Sequence, residues 1–243
     1  MQAVPPTPPA VVSPAPAPSS RVPAPAATPA GAWIAAMRPY GTAAWLARHD
    51  EFVARAQQGG LDIVFLGDSI TDFFATRGAE AWNRDIAPLG AVADFGISGD
   101  RTQWLLWRVQ HGELDGTGAR VVVLMIGTNN LGAATPQNVA RGVAAVVAAV
   151  QAKLPGATIV LNALLPRGTP DDPLRAKLAD VNARLQPLAD GTRVYWLDAG
   201  PGFLASDGTI PTELMPDGLH PAAPGYEVWA TALRPVLQDA LAR

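Results

Sequence analysis

Two hydrophobic periodicities alternate along residues 43–241. The first is a set of short, mostly apolar runs at residues 63–66, 91–97, 121–126, 158–165 and 194–197. Runs this short, rich in β-branched residues and bounded by Gly or polar positions, predict strands buried on both faces. In the second, apolar residues recur at three- and four-residue spacing, as on one face of a helix. Residues 43–58 carry it at Trp45, Leu46, Phe52, Val53 and Ala56, closed by Gly59 and Gly60. A further helix is predicted at 102–111, with Gly112 as its stop. Another runs from Thr135-Pro136, in cap and first-turn positions, to about residue 153. Two more are expected: one after the loop 166–173, to about residue 188, and one from near Pro224, broken or kinked at Pro235. Phe73, Phe74 and Trp82 fall in a helical or irregular stretch. Five strands alternating with helices predict a parallel sheet covered on both faces, an α/β fold.

The first 30 residues break the pattern. Ten are proline, eight are alanine, and only Arg21 is charged. Such a segment favours extended polyproline II and has little to pack, so residues 1–30 are expected to form a solvated tether. A PxxP-type ligand for a partner is the other reading. Residues 31–243 are expected to be a single domain, with 49% hydrophobic and 16% charged residues in the chain supporting a substantial core. A net charge of -3 gives no footprint for nucleic acid or an anionic membrane surface. The absence of cysteine excludes disulfides, thiolate nucleophiles and cysteine metal sites. No apolar run approaches the roughly 20 residues of a membrane span. The first residues lack the basic start and apolar core of a signal peptide. Tethers of this composition commonly follow a removed export signal, so export to a periplasm or beyond is an expectation.

The first strand stops at Gly67-Asp68-Ser69. That puts a serine beyond the carboxyl end of a central parallel strand, where open α/β sheets place their ligands. A serine hydroxyl is a weak nucleophile and needs a paired base. The Gly-x-Ser-x-Gly turn of the α/β-hydrolases is absent, because residue 71 is Thr. Standing alone, Asp68 and Ser69 also read as helix caps. The histidines narrow the choice, since only three exist. His49 lies on the apolar face of the first helix, where a packed, hydrogen-bonded ring is expected. His111 sits in the last turn of its helix, where a cation favours the dipole. His220 remains, in the loop Pro216-Asp217-Gly218-Leu219-His220-Pro221. Asp217, three residues earlier, can meet Nδ1 of the imidazole and leave Nε2 facing a nucleophile, as a triad requires. An incidental surface ion pair is the alternative. No second spare histidine or cysteine completes a metal site.

Acyl transfer also needs donors aimed at the developing oxyanion. Gly99 offers a backbone N–H without side-chain obstruction, and Asn129 a side-chain amide. Each has an ordinary reading as a turn former. Ser69, Gly99 and Asn129 follow three successive predicted strands, whose ends share one edge of a parallel sheet. Trp104 and Trp107, close after Gly99, suit stacking on a sugar or lining a lipid groove, or anchor their helix in the core. No phosphate-cradling glycine run supports a nucleotide or flavin binder on the same edge.

Gly67-Asp68-Ser69 with Ile70-Thr71, Ser98-Gly99-Asp100, Gly127-Thr128-Asn129 and Asp217-x-x-His220 resemble, in order, blocks of the SGNH (GDSL) hydrolases. Residues 48–52, 95–114, 121–130, 164–175 and 197–226 are similar to one branch, the catalytic subunits of intracellular platelet-activating-factor acetylhydrolase. The resemblance covers about residues 45–241. It implies a three-layer α/β/α sandwich with a five-stranded, flavodoxin-like parallel sheet of order 2-1-3-4-5, and no cofactor. It implies Ser69 as nucleophile, His220 as general base and then acid, and Asp217 as its orienting carboxylate. The implied oxyanion hole is the N–H groups of Ser69 and Gly99 with the side chain of Asn129. Asn130 stands where many GDSL members have Asp and, with Trp104, is a candidate for substrate contact. The expected substrate is a short acyl ester, acetyl foremost, of a glycan or small molecule; a lipid acylhydrolase and a non-catalytic binding domain are the rivals. The resembled branch dimerises, so a homodimer is carried as an expectation of the resemblance alone.

Overall fold

A computed structural model describes residues 42–243. The expected tether at 1–30 lies outside the described residues, as do residues 31–41. Five strands form one parallel sheet: β1 Ile63–Gly67, β2 Val92–Gly96, β3 Val121–Met125, β4 Thr158–Asn162 and β5 Val194–Leu197. Their order is β2-β1-β3-β4-β5, with every neighbouring pair parallel, as expected. Every residue of β1 and β3 is buried. Each fully buried Val, Leu or Ile side chain there contributes about 1.5–3 kcal/mol, which is why these runs have no polar alternation.

The helices include α1 Ala43–Gln57, α2 Ser69–Asp72, α3 Thr102–Gln110, α4 Pro136–Lys153, α5 Pro173–Leu185 and α6 Ala223–Leu241. Local chemistry sets their starts. The Thr42 and Thr135 hydroxyls accept from Trp45 N and Asn138 N, and Asp172 Oδ1 accepts from Leu174 N. Helix α1 buries Trp45, His49, Phe52 and Ala56. Helix α5 gives way to a 3₁₀ turn, Gln186–Leu188, at the proline in that turn.

Two expectations need correction here. Helix α6 is not broken at Pro235 but runs unbroken to Leu241. Pro235 and Thr231, four residues before it, are exposed, so the freed carbonyl faces water, while buried Leu233, Val236 and Leu237 hold the helix down. His49 is packed, yet its buried Nδ1 has no hydrogen-bond partner and lies 3.8 Å from Glu113 Oε1. Its ring is instead wedged between Trp45, at 6.0 Å, and Trp107, at 5.0 Å. His111, at the end of α3, stacks on Trp107 at 3.9 Å and its Nδ1 lies 2.6 Å from that residue's carbonyl.

Register decides where the site falls. Gly67 of β1 pairs with Gly96 of β2 and Met125 of β3, so all three strands end at one level. The segments after them emerge side by side.

Candidate active site

The turn after β1 is built around missing side chains. A Cβ at Gly67 would lie 2.0 Å from Thr71 Oγ1 and 2.6 Å from the Met125 carbonyl. Asp68 caps α2, its Oδ1 accepting from Ile70 N at 3.1 Å, and Ser69 opens the helix. Burial pushes the Asp68 carboxyl up to about 7. Capping thus belongs to Asp68. The Ser69 hydroxyl lies 2.8 Å from His220 Nε2, across 151 residues of sequence.

His220 is held by its own loop. Asp217 Oδ1 accepts from the backbone N–H of His220 at 2.7 Å and of Leu219 at 2.9 Å, with Gly218 at φ 67 between them. Asp217 Oδ2 lies 2.7 Å from His220 Nδ1. This contact assigns the ring proton to Nδ1 and leaves Nε2 to accept from the Ser69 hydroxyl. Partial burial works against the Asp217 charge, but the His220 and Leu219 N–H groups and the imidazole hold the carboxyl down to about 2. The loop is anchored from outside by Gly168 N, which donates to the Gly218 carbonyl at 2.7 Å. Arg175 fixes that second loop by donating to the carbonyls of Arg167, Gly168 and Gly208. The Phe73 ring packs 5.6 Å from the imidazole. Tyr226 of α6 donates to the Ile70 carbonyl at 2.7 Å and so grips the Ser69 turn from below.

Gly99 follows β2 at φ 83, with open space where a Cβ would point. Asn129, in the 3₁₀ turn Thr128–Asn130 after β3, donates one amide hydrogen to the Asp100 carbonyl at 2.9 Å. Its second amide hydrogen is left for another acceptor. As the first residue of α2, Ser69 has an N–H with no carbonyl four residues back in the helix. The strand-end alignment therefore gathers Ser69, Gly99 and Asn129 at one edge, with His220 and Asp217 facing them.

The two weaker candidates, Asn130 and Trp104, make contacts with α3 and the core. Asn130 is buried, its Oδ1 accepting from Thr102 N at 3.1 Å and its Nδ2 donating to Thr102 Oγ1 and Gln103 Oε1. It serves the first turn of α3, which needs an acceptor, and its polar atoms are used up there. Trp104 packs partly buried against the core, with the Arg101 guanidinium 5.3 Å from its ring. Its Nε1 is buried without a hydrogen-bond partner, and the ring anchors α3 to the core.

Residues not singled out from the sequence complete the surroundings. Arg108 is fully buried and donates to Asp100 Oδ2 at 2.8 Å, to Glu113, and to the carbonyls of Phe95 and Gly67. Trp45 Nε1 takes the other Asp100 oxygen at 2.7 Å. Burial still pushes the Asp100 carboxyl up to about 6, against the pull of Arg108. Arg167 donates to the Thr128 carbonyl and hydroxyl, steadying the turn that carries Asn129. Among the described residues, no group of three or more His, Cys, Asp or Glu side chains could hold a metal ion, and no helix is long and apolar enough to cross a membrane.

Residues 65–228 match the GDSL-like Lipase/Acylhydrolase family. Platelet-activating factor acetylhydrolase IB subunit alpha1 of Homo sapiens is 40% identical over 204 residues, which is 84% of this chain and 87% of that protein. Subunit alpha2 of Bos taurus is 38% identical over 183 residues, 75% and 78% of the two chains. Among solved structures, a GDSL-like lipase from Bacteroides thetaiotaomicron superposes with TM-score 0.67 at 17% identity, covering 80% of this chain and 98% of that one. An acetylxylan esterase from Geobacillus stearothermophilus does so with TM-score 0.60 at 19% identity, covering 74% and 94%. These two likenesses show the fold. The family match over residues 65–228 and the 40% identity over 84% of this chain show that the chain belongs to the GDSL-like lipase/acylhydrolase family and is a carboxylic ester hydrolase.

Proposed function

We propose that the protein hydrolyses short-chain acyl esters, acetyl esters foremost, through an acyl-enzyme on Ser69. The observation that carries this reading is the row of Ser69 Oγ, His220 and Asp217, at 2.8 Å and 2.7 Å. Ser69 attacks the acyl carbonyl while His220 Nε2 takes its proton, and Asp217 stabilises the imidazolium that forms. The developing oxyanion lies among the N–H groups of Ser69 and Gly99 and the free amide hydrogen of Asn129. The imidazolium then protonates the leaving alcohol. Water enters with His220 again as base, and the acid is released.

The acyl preference draws on names from two sources. The subunits 40% identical to this chain belong to an acetylhydrolase, and one structural neighbour is an acetylxylan esterase. Both names contain an acetyl ester and differ on the alcohol side. We favour a carbohydrate alcohol, met after export, over a lipid one; the similarity to the acetylhydrolase subunits supports the lipid reading. A panel of nitrophenyl esters of graded chain length, acetylated oligosaccharides and an acetylated ether phospholipid separates them, run on wild type and Ser69→Ala. Turnover should peak at acetyl and fall by about 10,000-fold or more in Ser69→Ala with folding intact. A Ser69→Ala variant retaining a tenth of wild-type turnover would remove the serine from its role.

A further inference from the structure

The proposed oxyanion site needs the N–H groups of Ser69 and Gly99 at a fixed separation, yet they stand on different elements. Asp72 joins those elements. It closes the single turn of α2 that Ser69 opens, with its N–H bonded to the Asp68 carbonyl at 2.9 Å. Its Oδ2 accepts from both the hydroxyl of Ser98, at 2.6 Å, and the backbone N–H of Ser98, at 3.2 Å. Its Oδ1 accepts from Arg48 of α1 at 2.8 Å, and that guanidinium lies 4.9 Å from the Phe52 ring centre. The same turn is pressed against β2, since a Cβ at Gly96 would lie 2.3 Å from Asp72 N.

Gly99 has little to hold it by itself. It and Ser98 are exposed, and open space surrounds the position a Cβ would take. The residues on either side are tied down by Ile97 N on the Gly67 carbonyl, Asp100 N on the Ile97 carbonyl and Asn129 on the Asp100 carbonyl, and Ser98 itself is held by the carboxylate of Asp72. Hydrogen bonds to an ionised acceptor are about twice as strong as neutral ones. Asp72 shows only 19% of its side chain to solvent, whereas Arg48 shows 43%, so the pair adds little to stability. Rate is more sensitive, because a misplacement of about 1 Å at a reacting centre costs roughly 100-fold.

We propose that Asp72 is a positioning residue for ester hydrolysis: braced by Arg48, it locks the Ser98-Gly99 backbone to the turn that carries Ser69. The proposal rests on acyl transfer at Ser69. Four variants of the full chain test it, Asp72→Ala, Asp72→Asn, Ser98→Ala and the Asp72→Ala/Ser98→Ala double. Each is assayed with nitrophenyl acetate and with a fluorophosphonate, whose phosphonyl oxygen enters the same site. Asp72→Ala should lower kcat about tenfold or more and slow labelling by a similar factor, leaving KM within about twofold and the pH profile unmoved. Ser98→Ala should lose part of that, and the double variant no more than Asp72→Ala, because both changes cut one link. Asp72→Asn, which keeps an acceptor oxygen, should recover part of the rate. Unchanged kcat in both Asp72→Ala and Ser98→Ala, a loss confined to KM, multiplicative losses in the double, or a displaced pH profile would each overturn it. Exposed Ser98→Ala carries the test if Asp72→Ala fails to fold. Ser69→Ala run alongside keeps the two proposals apart: turnover surviving there sinks acyl transfer, whereas turnover lost there but intact in the other four sinks only Asp72.

Discussion

Asn129 spends one amide hydrogen on the Asp100 carbonyl, and the proposed mechanism uses the other as an oxyanion donor. Replacing it with Ala should lower kcat by about 100- to 1,000-fold with KM little changed, the loss expected for one oxyanion donor. Steady-state kinetics on an acetyl ester check this, and a loss below fivefold would take Asn129 out of the site. The side chains of Ser69, Asp217 and His220 were legible in the sequence because so few alternatives existed. Two of three histidines had helix positions, and an Asp three residues before the third fits one loop turn. The contacts of Asn130 and Trp104 were not legible, because the direction of a side chain after a strand depends on where the next helix starts. The first turn of α3 claims the Asn130 amide, and the core claims the Trp104 ring. Asp72 gave no signal, since a carboxylate in a short helix reads as an ordinary solvated residue.

Strand β2 carries a carboxyl that its neighbours do not neutralise. Asp94 Oδ1 accepts from Gly96 N at 2.8 Å, while its buried Oδ2 has no hydrogen-bond partner. Burial pushes this group up to about 7 from an ordinary 3.8, with nearby Asp72 adding to the rise. Between those values the folded chain holds a proton that the unfolded chain has released. Stability attributable to Asp94 is therefore lost as pH rises from about 4 to about 7, and the whole penalty, on the order of a few kcal/mol, persists above that. Asp94→Asn should gain several degrees of Tm relative to wild type on going from pH 5 to pH 8. Thermal unfolding at the two pH values tests it, and a Tm difference independent of pH would contradict the burial argument. Strands with continuous apolar runs were legible to within a few residues. Pro235 does not end its helix, because it lies on a face open to water.

Across the whole molecule, parallel register does what no local motif does: it ends β1, β2 and β3 at one level and sets their following segments side by side. Sequence alternation of strand and helix made that edge legible. The approach of His220 was legible only as chemistry, because its loop is placed by contacts outside any pattern, such as Gly168 N on the Gly218 carbonyl. The buried Arg108, which binds Asp100, Glu113 and the ends of β1 and β2, was equally hidden, since an Arg on a helix reads as a surface residue. The register and the His220 loop meet at the contact of Ser69 with His220. Peptide mass spectrometry after brief exposure of the native chain to a fluorophosphonate reports that convergence directly. The phosphonyl group should appear on the peptide carrying Ser69, rapidly in the wild type and at negligible rate in His220→Ala; label on another residue, or equal labelling without His220, would contradict it.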